Sequence, residues 1–503
     1  MVILVACSAF MFIDLRTPPI VLWDESRQAV NALEMRQHGL GLVTTYGFRP
    51  DLWNTKPPLQ IWLMWAAMSV FGEGEWAVRL PSMLAAIGTL ALSVSWVRRV
   101  TGSFWTGALA AFLLTTSFGF FGEFGARTGD YDALLCFFTT AYLYVLFFAT
   151  HRRRPGPWRL VLAGLLVAGA VMTKSVAGLV PGVAVPLYLL LAGRWRRPLQ
   201  SPWYMAALVC AVLPVGVFLF LREQAAPGYL RAVVFNDAGG RFSSAFEGHV
   251  QPPWFYLEST FLLAFFSAGL LALAAPLGLV GARGVARQGL IFSLCVVGAV
   301  LGVLSVSATK LNHYALTAYP FIAAAVAIAV RMGLRTLARL VSSGAVSRTG
   351  GRSVVALLGL IVCLIAVRAV WLRTVFLPRL EFKPQAEYGE LFTSLSRRGA
   401  ARVQVVDSGV FASGSAYTFP ASANVPRDYA PQLRFYALLW KEHGLAVERI
   451  PAAALPGVAA GTVVASCDPA LRHAVLRLGD DLSGAPECVA VRVADRSKAM
   501  DRP

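Results

Sequence analysis

Acidic side chains are scarce in this chain of 503 residues. Asp and Glu number 27 against 45 Lys and Arg, and charged residues make up only 14% of the whole. With 57% hydrophobic residues, the chain has too little polar surface to clothe a soluble fold of this length. An ordinary soluble multidomain protein is excluded, and a polytopic membrane protein is indicated. Cysteine is sparse as well. Five of the seven (Cys7, Cys136, Cys210, Cys295 and Cys363) lie in apolar runs, where a lone thiol behaves as a small hydrophobe. No C-x-x-C pair or Cys/His cluster supplies a structural zinc site. No G-x-x-x-x-G-K-[ST] loop is present, which argues against a cytosolic nucleotide donor or ATP drive. No internal repeat supports an inverted-repeat transporter. No small-residue cleavage site precedes Asp24, so the first apolar segment reads as an uncleaved anchor.

What the chain does have is apolar runs of membrane-spanning length. They fall at about 2–22, 78–97, 103–122, 132–150, 159–173, 176–193, 202–221, 255–281, 289–307, 314–331 and 353–372, eleven in all. The fifth and sixth are short and call for tilting or a re-entrant pair. The net charge of +18 comes from short basic clusters between these runs, a topology signal and not a nucleic-acid footprint. Sixteen arginines, from Arg98/Arg99 through Arg152–Arg154, Arg159, Arg194, Arg196, Arg197, Arg283 and Arg287 to Arg331–Arg352, occupy alternate loops that hold no Asp or Glu. By the positive-inside rule those loops are cytoplasmic. Every remaining candidate for chemistry then faces the periplasm or its equivalent, in the inner (plasma) membrane of the cell.

Those candidates begin with Trp23-Asp24-Glu25-Ser26-Arg27, where the first apolar segment gives out. Two adjacent carboxylates at a helix mouth cost several kcal/mol to bury unless solvated or paired. Asp24 is placed to cap a helix over Glu25–Gln37 and, with other polar groups gathered on the same side, to do chemistry too. In the same outer loop, Lys56-Pro57-Pro58-Leu59 opens an aromatic run ending at Phe71-Gly72. Its 14 or so residues read as an interfacial helix rather than a span. Arg127-Thr128-Gly129-Asp130-Tyr131-Asp132 starts the fourth span, with either aspartate able to cap it. Lys174 lies between two short spans, where a lone ammonium needs a carboxylate or phosphate partner. Arg241 and His249 stand in a loop of about 30 residues, long enough to serve as a lid. Lys310 and Tyr314 follow just outside a later span. Cations in this number suit a lipid-linked phosphate, and a carboxylate among them suits a base that deprotonates a hydroxyl.

Beyond about residue 373 the composition changes. Helical patterns at 384–398, 426–443 and 469–478 alternate with β-like runs at 403–406, 447–450, 462–465 and 488–493, the signature of a small α/β domain. The chain thus divides into a transmembrane region 1–372, including the first outer loop 24–76, and an α/β domain 373–503. An odd number of spans puts that domain outside, where Cys467 and Cys488 could join in a disulfide.

Taken in order, these motifs resemble the dolichyl-phosphate-mannose protein mannosyltransferase-like and aminoarabinose lipid A transferase-like glycosyltransferases, membrane enzymes of the GT-C fold. The resemblance runs over about 1–330 and rests on Asp24-Glu25 with Arg27, Lys56-Pro57-Pro58-Leu59, Asp132, Thr173-Lys174, His249 before Pro-Trp-Phe-Tyr, and Lys310 with Tyr314 and Pro320. It implies transfer of a sugar from a polyprenyl-phosphate carrier to a lipid, glycan or protein acceptor, with inversion. Asp24 carries over as catalytic acid/base, with Glu25 and Asp132 as further catalytic candidates. Lys56, Lys174 and Lys310 carry over as phosphate-side contacts. Arg27, Arg127, Asp130, Arg241, His249 and Tyr314 complete the expected substrate site. The resemblance implies no obligatory cofactor and leaves room for a divalent metal. Where the aminoarabinose transferases carry Glu just before Lys-Pro, however, this chain has Asn54-Thr55. That departure weakens a zinc site built with His249 and argues against lipid A as acceptor. A lipid-carrier flippase is the alternative class, but it would need polar residues near the midplane of several helices, whereas here they cluster at one face.

The topology is directly testable. A cysteine introduced near residue 240 should react with a membrane-impermeant maleimide applied from outside, and one near residue 153 should not; the reverse pattern would invert the assignment.

Overall fold

The computed structural model describes residues 15, 19–20, 24–122, 124–151, 155–196, 201–240, 250–265, 268–371, 374, 388–407, 429–483 and 488–494. They form two compact units. One gathers 1–13, 55–60 and 79–377, the other 14–54, 61–78 and 378–503. Compactness therefore joins most of the first outer loop to the tail, where composition alone draws a line at 372.

Among the described residues, seven apolar helical stretches are long enough to cross a membrane: Glu75–Thr101, Tyr131–Thr150, Pro157–Leu191, Trp203–Ala225, Gly284–Val306, Asn312–Ser342 and Arg348–Trp371. Trp203–Ala225 and Arg348–Trp371 leave Met205, Leu208, Val212, Leu213, Phe220, Leu357, Leu360 and Val367 exposed. Apolar faces of this extent suit a lipid environment and would aggregate in water. The other spans bury a continuous core that includes Leu90, Val97, Leu143, Phe147, Leu290, Val296, Ile322 and Val326.

Of the eleven runs read from the sequence, the first lies outside the described residues except at 15, 19 and 20, and the others depart from simple spans in three places. The run at 103–122 is a helix Phe104–Thr115 and a single turn Phe118–Phe121, interrupted where Thr116 and Ser117 turn their hydroxyls back onto Phe112, Leu113 and Leu114 carbonyls. The run at 255–281 breaks into π-helical Glu258–Ala264, the helix Gly269–Ala274 and a 3₁₀ turn at Ala275–Leu277 that contains Pro276.

The third departure is the pair at 159–173 and 176–193, two helical arms that follow one another without a loop and double back. Residues eight apart in a straight helix are about 12 Å distant. Yet a methyl group built on Gly178 would lie 2.6 Å from the Ala170 carbonyl carbon. The reversal falls at Ser175, whose φ of 52° is a conformation that favours glycine. Both ends of the neighbouring helix Tyr131–Thr150 gauge the hairpin. At one, Asp132 meets Lys174 on the near side of the reversal; at the other, Tyr188 on the returning arm lies 3.4 Å from His151. The hairpin is thus as deep as a 20-residue helix is long, about 30 Å.

In the second unit, the strands Ala446–Ile450, Arg402–Val406, Val463–Ser466 and Val489–Arg492 lie side by side in that order, the first three parallel and the last antiparallel. Val406, Val464, Val489 and Val491 form the core of one face with Leu455, Val475 and Leu478. The disulfide Cys467–Cys488 joins the ends of the last two strands. The helices Tyr388–Arg397 and Pro431–Glu442 fall inside the helical patterns read from the sequence.

The hairpin makes a clear demand on Gly178. Gly178→Val should lower the melting temperature in detergent by an amount equivalent to about 1–3 kcal/mol, because the side chain strikes backbone that cannot yield. Ser175→Gly should keep or raise it, since glycine adopts that φ without strain.

Candidate functional site

In the first unit the buried charges converge on the helix Tyr131–Thr150. Asp130 stands at its N-cap position but makes no capping bond through its side chain, and its carbonyl accepts the Ser82 hydroxyl at 3.0 Å. The sequence left Asp130 and Asp132 as alternative caps. The structure instead uses Asp132 to hold Lys174, whose ammonium donates to both carboxylate oxygens at 2.7 and 2.6 Å. These side chains are 4% and 8% exposed. The ammonium also lies 5.1 Å from the centre of the Tyr314 ring, whose face is attractive to a cation. The partner that Lys174 requires is therefore a carboxylate of this chain. Lys310, 7% exposed, donates to the Ser307 carbonyl at 2.6 Å, and Arg127 is buried to the same degree.

Lys56 has a partner that the sequence did not suggest. Its ammonium bonds Oδ1 of Asp237, which also accepts the Thr55 hydroxyl at 3.1 Å; the Tyr229 hydroxyl donates to the Thr55 carbonyl at 2.9 Å. Asp237 lies in the π-helical turn Val234–Gly240, a geometry frequent at functional sites. Its second oxygen is buried without a hydrogen-bond partner among the described residues. Asp237 falls in a stretch that reads as loop, Asn236-Asp237 before Gly239-Gly240. The available signal was the need of Lys56 for a nearby carboxylate. Arg241 and His249 lie outside the described residues.

In the second unit, the helix Asp24–His38 begins one residue before the expected start and takes Asp24 into its first turn. Asp24, its side chain 31% exposed, pairs with Arg27 one turn on, while Glu25 is buried. The Arg27 guanidinium also lies 6.0 Å from the Trp53 ring. Further along, the Asn31 amide donates to the Thr45 carbonyl and Asp51 Oδ2, and its oxygen accepts from Asn54 at 2.7 Å. Asp51 in turn accepts the backbone N–H groups of Trp53 and Asn54.

Glu34, fully buried, closes the other end of this network. It accepts the Thr45 hydroxyl at 2.8 Å and the Gly47 and Phe48 N–H groups at 2.9 and 3.0 Å. Those two residues form the two-residue turn of a short hairpin, both with positive φ. The Glu34 bonds thus hold Phe48 in a conformation it would otherwise avoid. Arg434 of the tail neutralises Glu34 at 2.5 Å, and Tyr436 accepts the Ile20 N–H while donating to Glu75. Tyr429, also from the tail, packs against Tyr46 with ring centres 4.6 Å apart and the rings tilted by 38°. Burial pushes its hydroxyl well above the usual range; Arg27 pulls it down, and Asp51 and Asp24 add to the rise. The residue is accordingly neutral at physiological pH.

No group of three His, Cys, Asp or Glu side chains converges to hold a metal among the described residues.

Comparison with known proteins adds likenesses of three kinds. Residues 55–220 match the family model of dolichyl-phosphate-mannose-protein mannosyltransferase. An undecaprenyl phosphate-alpha-4-amino-4-deoxy-L-arabinose arabinosyl transferase of Pseudomonas savastanoi pv. phaseolicola is 30% identical over 251 residues, 47% of this chain and 44% of that one. Its counterpart in Pseudomonas aeruginosa (strain UCBPP-PA14) is 28% identical over 279 residues, 54% and 48% of the two chains. The match therefore spans about half the length of these curated relatives. Among solved structures, ArnT from Cupriavidus metallidurans bound to undecaprenyl phosphate superposes with a TM-score of 0.67 at 15% identity, covering 97% of both chains. The archaeal oligosaccharyltransferase AglB from Archaeoglobus fulgidus gives 0.54 at 13% identity, over 92% of this chain and 69% of that one. At such identities the likeness establishes a common fold.

The buried ion pair yields a double-mutant test. Lys174→Ala leaves the Asp132 carboxylate buried without its counter-ion and should cost about 3–5 kcal/mol in thermal or denaturant stability. Adding Asp132→Leu to Lys174→Met should recover most of the loss. A double variant as unstable as the sum of its singles would show that the pair is not coupled.

Proposed function

We propose that this chain, which shares the GT-C fold of the polyprenyl-phosphate-sugar glycosyltransferases and matches relatives among them over about half its length, is itself an integral-membrane glycosyltransferase. It takes a hexosyl or pentosyl group from a polyprenyl-phosphate donor and passes it to a lipid, glycan or protein hydroxyl on the periplasmic face. The observation that carries this reading is that the stretch matched by the mannosyltransferase family model, 55–220, contains Lys56, Asp132 and Lys174, all engaged in ion pairs. The positive-inside distribution of arginine supports the side of the membrane, as does the Cys467–Cys488 disulfide, a bond suited to an oxidising compartment.

The chemistry follows from what each group offers. An acceptor hydroxyl is a poor nucleophile at neutral pH. Asp24, partly exposed and oriented by Arg27, takes its proton as the oxygen attacks the anomeric carbon. The bond from that carbon to the phosphate oxygen breaks in the same displacement, inverting the centre, and the polyprenyl phosphate leaves as an anion. Lys56 and Lys310 offset its negative charge, Lys56 being directed by Asp237. The Asp132–Lys174 pair ties the start of the helix Tyr131–Thr150 to the reversal of the hairpin and so positions that end of both for the donor. In this reading Arg27, Arg127, Asp130 and Tyr314, with Arg241 and His249 from the sequence alone, serve substrate binding, and Glu25 is the alternative carboxylate.

General-base assistance is worth about 10²–10⁴ in rate. Asp24→Asn keeps the shape and helix-start preference of Asp, so purified variant should melt near the wild type yet transfer sugar at least about 100-fold more slowly. Transfer at wild-type rate would leave Asp24 as a structural residue and move the base to Glu25 or Asp132.

A further inference from the structure

Four residues share one face of the helix Asp24–His38: Asp24, Arg27, Gln28 and Asn31, spaced three and four apart. Their polar groups differ in how they are satisfied. Asp24 and Arg27 pair with each other, and both the donor and the acceptor of the Asn31 amide are engaged. Gln28 is fully buried, and among the described residues neither its amide nitrogen nor its amide oxygen has a hydrogen-bond partner. An orphaned buried amide destabilises the fold that holds it, and an apolar side chain of similar size would spare that cost. Such a residue is a burden on the resting fold, and the stretch around it offers no relief: Ala29, Val30, Ala32 and Leu33 are all apolar and buried.

We infer that Gln28 is a specificity-determining residue that binds adjacent hydroxyl groups of a sugar beside Asp24. The inference rests on the glycosyltransferase reading and deepens it. Gln28 is one helical turn beyond Asp24, so both side chains serve the same space. Asp24 is the exposed end of the face and Gln28 the sealed end. Turning the amide toward Asp24 breaks no hydrogen bond, because none exists to break. A carboxamide supplies donors and an acceptor together, which matches a pair of neighbouring sugar hydroxyls, one accepting and one donating. The hydroxyls belong either to the sugar on the donor or to a sugar on the acceptor.

The test compares wild type with Gln28→Met and Gln28→Leu by thermal melting in detergent, alone, with undecaprenyl phosphate, and with undecaprenyl phosphate bearing the transferred sugar, alongside steady-state transfer. Both variants should melt higher than wild type, by about 1–4 °C, because an unpaired amide has been removed. If the hydroxyls are the donor's, the variants keep the stabilisation given by undecaprenyl phosphate but lose the increment added by its sugar. If they are the acceptor's, the increment survives and KM for the acceptor rises about tenfold or more. Variants that melt lower than wild type would make Gln28 a structural residue and overturn the inference. So would variants that keep both the sugar increment and the acceptor KM. Failure of undecaprenyl phosphate to stabilise the wild type would instead remove the lipid-phosphate reading, a separate result from either.

Discussion

A buried ammonium in a membrane protein needs a partner in place of water, and the arrangement of the first unit depends on the carboxylate that answers Lys174. Lys174 and Asp132 give each other the only kind of environment in which either charge is tolerable away from water, and the attraction is strong because so little solvent screens it. To bring them together, the chain must end one apolar arm at Lys174 and start another helix at Asp132. Ser175 must then accept an unfavourable backbone geometry so that the next arm can return at once. Small residues make the return compact: Gly178 rests on Ala170, and a Cβ at Gly164 would lie only 2.9 Å from that of Cys210.

The large-scale features were legible because they depend on composition summed over many residues. Apolar runs and arginine placement need no knowledge of contacts. The small sheet was legible for a similar reason: short Val-rich runs alternating with amphipathic helices have few alternatives. The interior of long apolar runs was less so. Hydropathy does not distinguish a straight 20-residue helix from one broken by Thr116 and Ser117 or by Pro276, since hydroxyl back-bonding and a missing N–H hardly alter the average.

At the site, residue types were readable and pairings were not. Lys56 was singled out, but its partner Asp237 is 181 positions away and sits in a turn that reads as loop. Asp132 was expected at the site, yet whether it would cap its helix or hold a cation depended on where Lys174 came to rest. Glu34 carries no distinguishing mark in the sequence. Its place beneath a hairpin turn, with Arg434 supplying the opposite charge, requires contact between segments 400 positions apart. Gln28 is the clearest case. Its residue type suggests nothing, and only the absence of a partner for a fully enclosed amide marks it out.

The second unit is built from segments at opposite ends of the sequence, and that has a consequence for biosynthesis. Residues 14–54 and 61–78 reach their partners in 378–503 only after about 300 intervening residues have been made. At about 5–20 residues per second that is roughly 15–60 s during which the helix carrying Asp24 is already synthesised but Arg434, Tyr436 and Tyr429 are not. Glu34 spends this interval without the arginine that neutralises it. The enclosure around the amino-terminal helix is therefore among the last parts to be completed, and a chain released early would have its lipid-embedded helices without it.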